Sequence, residues 1–192
     1  MSHFFAYLAR MKFIHRWGLM RNTDSENIME HSLQVAMIAH GLAVINNRCC
    51  GGGVDPNRTA ALALFHDASE VITGDLATPI KYFNPEIKRA YSSIETVANE
   101  KLLDMLPEAL RPAYLPLFFP QPEDEACWAL VRAADKICAY LKCLEEAKAG
   151  NREFAQAEKS LRQTLQDTDR EEVRHFLAEF VPSFTLTLDE LN

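Results

Sequence analysis

The sequence predicts an all-α fold, a bundle of helices joined by short loops. Three observations carry that expectation. Apolar residues recur at helical spacing along most of the chain, runs of alternating β-branched residues are scarce, and helix-start signals precede several of the apolar stripes.

In order along the chain, Phe4, Leu8 and Met11 fall at i, i+4 and i+7 and mark a first helix. The polar stretch 21–26 reads as a loop. Asn27 with Glu30 three residues on has the form of a capping box, and Val35, Ile38, Leu42 and Ile45 continue the helix up to Cys49-Cys50-Gly51-Gly52-Gly53. Counting back four from Val35 lands on His31, at the N-terminal end of the buried stripe. Asp55-Pro56 pairs an N-cap with proline at the first helical position. The helix it opens is expected to carry His66, Asp67 and Glu70 on an apolar background and to stop near Thr73-Gly74, with an ordered loop over 74–79. Asn84-Pro85 opens a longer helix toward Met105, and Pro107, Pro112, Pro116, Pro120 and Pro122 divide the next stretch into short pieces. Glu123, Asp124 and Glu125 put acid in a helix first turn, as the dipole favours, and Leu130, Ala134, Ile137, Leu141 and Leu144 carry that stripe to Gly150. Two more helices are expected around 153–165 and 171–180, the last ended by Val181-Pro182.

A chain of 192 residues with 48% hydrophobic content suits one domain, 1–192, with a core that needs no staples. Uninterrupted apolar runs fall far short of the ~18 residues that span a bilayer, and the N-terminus lacks a basic region followed by an apolar one, so a cytoplasmic protein without a membrane partner is expected. The odd count of five cysteines, with Cys49 and Cys50 vicinal, fits reduced thiols. Cys138 and Cys143, five apart on a helix, point in different directions and read as packing residues rather than a metal pair. The net charge of −7 argues against binding a nucleic-acid polymer, which needs clustered Lys and Arg. Residues 1–23, however, hold Arg10, Lys12, Arg16 and Arg21 and no acid, which is compatible with a small phosphorylated ligand.

The chemistry gathers on four residues. His66-Asp67 lies in apolar surroundings where an unpaired polar group costs about 2–7 kcal/mol, and His31 and Asp135 also sit at the edges of apolar stripes. Two imidazoles and two carboxylates make a mixed N/O set suited to a hard or borderline divalent ion with open positions for water. Such an ion lowers the pKa of bound water and polarises a phosphoryl oxygen, so phosphate ester hydrolysis follows. Glu70, at i+4 from His66, is placed for acid/base work or for orienting the imidazole. His3, His15, His40 and His175 read as ordinary histidines. Residues 68–134 hold no histidine, so no further imidazole lies between the His-Asp pair and Asp135 for a second ion, which favours one metal.

At these residues the chain resembles the HD-domain metal-dependent phosphohydrolases. Closer still, Arg16-Trp17, Glu30-His31-Ser32-Leu33-Gln34, His66-Asp67-Ala68-Ser69-Glu70, Thr73-Gly74-Asp75-Leu76, Thr78-Pro79, Lys81-Tyr82-Phe83 and the run 138–146 are similar to the bacterial YfbR-type 5′-deoxynucleotidases, over essentially the whole chain. The resemblance implies a helical fold, a homodimer, and metal-dependent hydrolysis of deoxyribonucleoside 5′-monophosphates, with Co2+ the favoured ion and Mn2+ or Zn2+ as others. By position it makes His31, His66, Asp67 and Asp135 the metal ligands and Glu70 and Arg16 the catalytic pair. It sets Arg16, Trp17, His31, Asp67, Asp75, Leu76, Ala77 and Thr78 against the substrate. Ala77 departs from the pattern, which has proline there. The alternatives are another HD-type nucleotide phosphohydrolase (a triphosphohydrolase or phosphodiesterase) and a non-catalytic helical nucleotide sensor. The first would need more cations for further phosphates; the second would have lost a ligand or the acid/base.

Overall fold

The protein is described here by a computed structural model covering residues 1–81 and 83–191, without the side chains of Thr78 and Pro79. Its centre is α2 (Ile28–Cys49), which begins as the sequence predicts. The Asn27 side chain accepts from the backbone of Met29 at 3.0 Å and Glu30 at 3.1 Å, while the Glu30 carboxylate accepts from the Asn27 N–H at 3.2 Å. One face of α2, including His31, Val35, Ile38, Leu42 and Ile45, is buried against α3 (Pro56–Phe65), α8 (Glu125–Lys148) and α10 (Glu171–Glu179). By length and composition alone α2 could cross a membrane, but more than half of it is buried inside the protein.

Leu42, Leu62, Leu130, Ile137 and Leu141 are sealed from solvent in the core between α2, α3 and α8. Each such side chain is worth about 1.5–3 kcal/mol in burial. α9 (Ala155–Gln166) closes over α8. A second apolar cluster joins α1 (Phe4–Leu8), α6 (Pro85–Asp104) and α7 (Arg111–Phe118), with Phe4 edge-on to Tyr114 at 5.1 Å and to Phe118 at 6.0 Å. Ala68, next to the His-Asp pair, belongs to this cluster, so the pair sits where the two cores meet.

Pro112 and Pro116 do not divide the chain as expected, since Pro112 sits in the first turn of the helix over Arg111–Phe118, where its missing N–H costs nothing, and Pro116 lies inside that helix. Three further expectations need correction. The first helix is α-helical only to Leu8 and tightens to 3₁₀ over Ala9–Phe13. The chain must then extend so that Ile14 and Arg16 can pair with Ile28 and Glu26, at 3.0 and 2.9 Å. The helix opened by Asp55-Pro56 stops at Phe65, and His66 to Ser69 form tight turns before α4 (Glu70–Thr73). The cause is local: the His66 Nδ1–H donates to the Ala63 carbonyl at 2.7 Å and the His66 backbone N–H approaches the same oxygen at 3.4 Å. That oxygen would otherwise accept the next helical bond, from Asp67. Thirdly, the loop after Gly74 is shorter than expected, because Thr78–Lys81 form a helical turn, α5, whose first accepting carbonyl is that of Ala77. Gly74, at φ +73° and ψ 164°, ends α4 in an extended positive-φ conformation that glycine adopts freely.

Candidate active site

His31 comes from the first turn of α2, His66 and Asp67 from the turn after α3, and Asp135 from α8. One ligating atom from each of His31, His66 and Asp67 can be chosen so that all lie within 4.8 Å of one another. Asp67 is the hub. Its Oδ2 lies 3.1 Å from His66 Nε2, 3.7 Å from His31 Nε2 and 3.4 Å from Arg16 Nη1. Asp135 Oδ1 joins from the other side, 3.1 Å from His31 Nε2. Because a carbonyl can only accept, the bond from His66 Nδ1 to Ala63 fixes the ring with Nε2 facing the cluster.

The charges divide in two. Burial works against the charged forms of His66, Asp67 and Asp135, yet their mutual attraction prevails. The His66 imidazolium is held up to about 9 by Asp67 and Asp135, Asp67 is held well below the carboxylate range by His66, His31 and Arg16, and Asp135 is lowered by its bond to His31. Glu70 goes the other way. It is buried, with Oε2 lacking a hydrogen-bond partner, and burial together with the charges of Asp67 and Asp75 raises its carboxyl to about 9. His31 Nδ1 is likewise buried without a hydrogen bond, and His66 Nε2, though 3.1 Å from Asp67 Oδ2, has no well-aligned one. Unsatisfied groups at this density mark a site built for something else to bind.

Arg16 is engaged on two sides: its Nε donates to Glu26 Oε2 at 3.1 Å and its Nη1 reaches Asp67. Trp17 follows at φ +59°, a strained conformation for a bulky residue. It is held there by its indole N–H, which donates to Glu26 Oε2 at 3.2 Å, by edge-on packing against Phe154 at 5.2 Å, and by a turn from Met20 N–H to its carbonyl at 2.9 Å. Glu26 gave no signal in the sequence beyond membership of a polar loop. Nor did the anchor behind it: Glu146 on α8 accepts from the Thr23 N–H at 2.9 Å and Asn151 at 2.7 Å, while Lys142 donates to the Asp24 carbonyl and to Glu146.

Asp75 comes in from the loop after α4. Burial raises its carboxyl, against the pull of the Arg16 charge and the nearby Trp17 backbone N–H, and the Asp67 charge adds to the rise. Leu76 and Ala77 lie further along, half-buried and outside the cluster of ligating atoms. The Ala77 carbonyl accepts from the N–H groups of Ile80 at 2.8 Å and Lys81 at 3.1 Å, so α5 ties down the backbone where proline was expected. The Thr78 side chain and Tyr82 lie outside the described residues. The cysteines Cys127, Cys138 and Cys143 are buried and all five are free thiols, consistent with packing roles for the α8 pair.

Residues 3–184 match the family model of the YfbR-like 5′-deoxynucleotidases. The chain belongs to that family. Among curated relatives, a 5′-deoxynucleotidase of Vibrio cholerae is 59% identical over 191 residues, all of this chain and 98% of the relative. The 5′-deoxynucleotidase YfbR of Salmonella paratyphi B is 54% identical, across all of this chain and 96% of its own length. Among solved structures, an HD-domain phosphohydrolase from Listeria innocua superposes with a TM-score of 0.82 at 23% identity, covering 95% of this chain and 88% of that one. A cyanophage S-2L HD phosphohydrolase bound to dA and one catalytic Zn2+ ion superposes with a TM-score of 0.62 at 19% identity, covering 93% and 96%. At these identities the structures speak for the fold. The YfbR-like family assignment rests on the sequence matches, and the fold it shares with these structures is the all-helical one expected.

Proposed function

We propose that this member of the YfbR-like family hydrolyses deoxyribonucleoside 5′-monophosphates to deoxynucleoside and phosphate, with one divalent metal ion held by His31, His66, Asp67 and Asp135. The observation that carries the reading is the convergence of those residues beside a buried, proton-holding Glu70. The donor set fits such an ion: two imidazoles and two carboxylates meet, and His66 Nε2 is buried with no well-aligned hydrogen bond. When bound, the ion would polarise a phosphoryl oxygen and activate water.

The chain's own residues do the rest. Arg16, steered by Glu26, presents its guanidinium beside Asp67 as a partner for the phosphate oxygens. Water adds to phosphorus as the bond to the 5′-oxygen breaks, and the departing oxygen needs a proton. Glu70, whose carboxyl burial and the charges of Asp67 and Asp75 push up, would supply it, and the proton shed by the attacking water would restore Glu70. Trp17, clamped by Glu26 and Phe154, sets a rigid indole where the sugar would lie and disfavours a 2′-hydroxyl. Asp75, Leu76, Ala77 and Thr78 would complete the substrate site, as the family resemblance implies.

Co2+ is the ion that the family resemblance favours, with Mn2+ or Zn2+ as alternatives. The five free thiols support a reducing, cytoplasmic setting. A homodimer completes the proposal and is tested by light scattering. The function itself is tested by phosphate release from chelator-stripped protein given mono-, di- and triphosphates with and without Co2+. Metal-dependent release from deoxyribonucleoside monophosphates, with weak activity on ribonucleotides, is expected. Preference for triphosphates would move the chain to a different phosphohydrolase activity.

A further inference from the structure

Three proposed site residues, from two separate stretches of backbone, turn toward one carboxylate. Glu26 Oε2 accepts from Arg16 Nε at 3.1 Å and from Trp17 Nε1 at 3.2 Å, while Glu26 Oε1 faces His31 Nδ1 at 3.6 Å. The side chain is only 13% exposed, and His31 is sealed from solvent. His31 Nδ1 has no hydrogen-bond partner, and Glu26 is the carboxylate facing it. The opposite ring nitrogen, Nε2, faces Asp135 and Asp67.

From this geometry we infer that Glu26 is a positioning residue that couples the metal half of the site to the nucleotide half. The inference rests on the metal-site reading above. Glu26 Oε1, 3.6 Å away, is the acceptor that a His31 Nδ1–H faces, so the Nε2–H pointing at Asp135 is the proton a bound ion would displace; a carboxylate behind a ligating imidazole fixes both its tautomer and its orientation. With Oε2 it holds the guanidinium of Arg16 and the indole of Trp17 in register. One carboxylate thereby sets the distance between the groups that would hold the metal, the phosphate and the sugar. Its own position is secured in turn: the Glu26 carbonyl accepts from the Arg16 N–H at 2.9 Å, and the loop before it is anchored through Thr23, Asp24 and Glu146.

Glu26→Gln is the informative substitution because it is isosteric and reverses polarity at one end. The amide oxygen can still accept from Arg16 and Trp17, but the amide NH2 would then face His31 Nδ1 as a donor. That forces the imidazole proton onto Nε2, where it blocks coordination. Glu26→Asp keeps an acceptor, shortened by one methylene. Two measurements decide the matter. In chelator-treated protein, nitrogen NMR of labelled histidine reads which ring nitrogen of His31 is protonated, and titration with Co2+ against a chromophoric chelator reads affinity.

The expected result is a His31 that has lost its Nδ1 proton and carries one on Nε2 alone, with Co2+ affinity lowered about 10–100-fold, in Glu26→Gln, and Glu26→Asp recovering much of the loss. Wild-type affinity and an unchanged tautomer in Glu26→Gln would overturn the proposal. If Glu26→Gln does not fold, Glu26→Asp decides alone: it should bind Co2+ more weakly than wild type while keeping the Nδ1 proton, and unaltered binding would refute the role. Asp67→Ala, in parallel, separates this outcome from failure of the site itself. If wild type and Asp67→Ala bind Co2+ equally, the metal-site reading is wrong; if they differ and Glu26→Gln matches wild type, only the role of Glu26 is.

Discussion

Arg16 Nη1 lies 3.4 Å from Asp67 Oδ2, a contact that spans 51 residues of sequence and brings the basic N-terminal segment onto the His-Asp turn. Residues 1–23 contain no acid, yet Arg16 finds carboxylates from elsewhere in the chain: it is pinned between Glu26 and Asp67 and is therefore aimed before any ligand arrives. Pre-aimed donors cost less entropy when they bind.

Arg16→Ala should lower kcat/KM for every monophosphate by a similar factor, about 10²-fold or more, as loss of a single preorganised donor does. Arg16→Lys should not restore it, because an ammonium cannot address Glu26 and Asp67 through separate nitrogens. Steady-state kinetics on several bases check this. A loss confined to one base would assign Arg16 to base recognition instead.

Glu70→Ala should keep its metal and lose about 10²–10⁴-fold in turnover, the range of a missing acid/base. Metal content measured alongside turnover separates this from a ligating role. Loss of both together would make Glu70 part of the metal shell.

Trp17 makes two linked predictions. Trp17→Ala should narrow the preference for deoxyribo- over ribonucleotides, read as the ratio of their kcat/KM values. Trp17→Gly should do the same and melt higher than Trp17→Ala, since glycine adopts φ +59° without the cost of a Cβ. An unmoved sugar ratio would hand selectivity to the loop containing Asp75.

Glu146 supplies a pH signature. Burial opposes its charge, but Lys142, the Thr23 N–H and Asn151 hold the carboxyl down to about 2. Its folded pKa is thus below that of an unfolded Glu, near 4.3. The stabilisation is present above the unfolded value and disappears as pH falls through the folded one. Thermal melts of chelator-treated wild type and Glu146→Gln should differ clearly at pH 7 and converge as pH falls from about 4.5 toward 2. A difference independent of pH would mean that shape, not charge, ties this loop to α8.

The helices were legible because their signals are local. Asn27 and Glu30 cap α2 within four residues, and Asp55-Pro56 and Asn84-Pro85 do the same for α3 and α6. The His-Asp pair was legible as chemistry but not as geometry. Nothing in the sequence says that the His66 ring will take the Ala63 carbonyl and end α3 at Phe65. Glu26 was illegible for another reason. Its partners Arg16 and Trp17 meet it only because residues 14–16 and 26–28 pair as extended backbone, an arrangement with no periodicity to read.

The central claim is that His31, His66, Asp67 and Asp135 hold one catalytic ion. It is tested most directly by measuring phosphate release from a deoxyribonucleoside 5′-monophosphate by chelator-stripped wild type and Asp67→Ala, each titrated with Co2+. The account predicts that wild type is inactive when stripped and recovers as about one equivalent of Co2+ binds, while Asp67→Ala stays inactive throughout. Turnover by the stripped wild-type protein, or Co2+-restored turnover in Asp67→Ala, would contradict it.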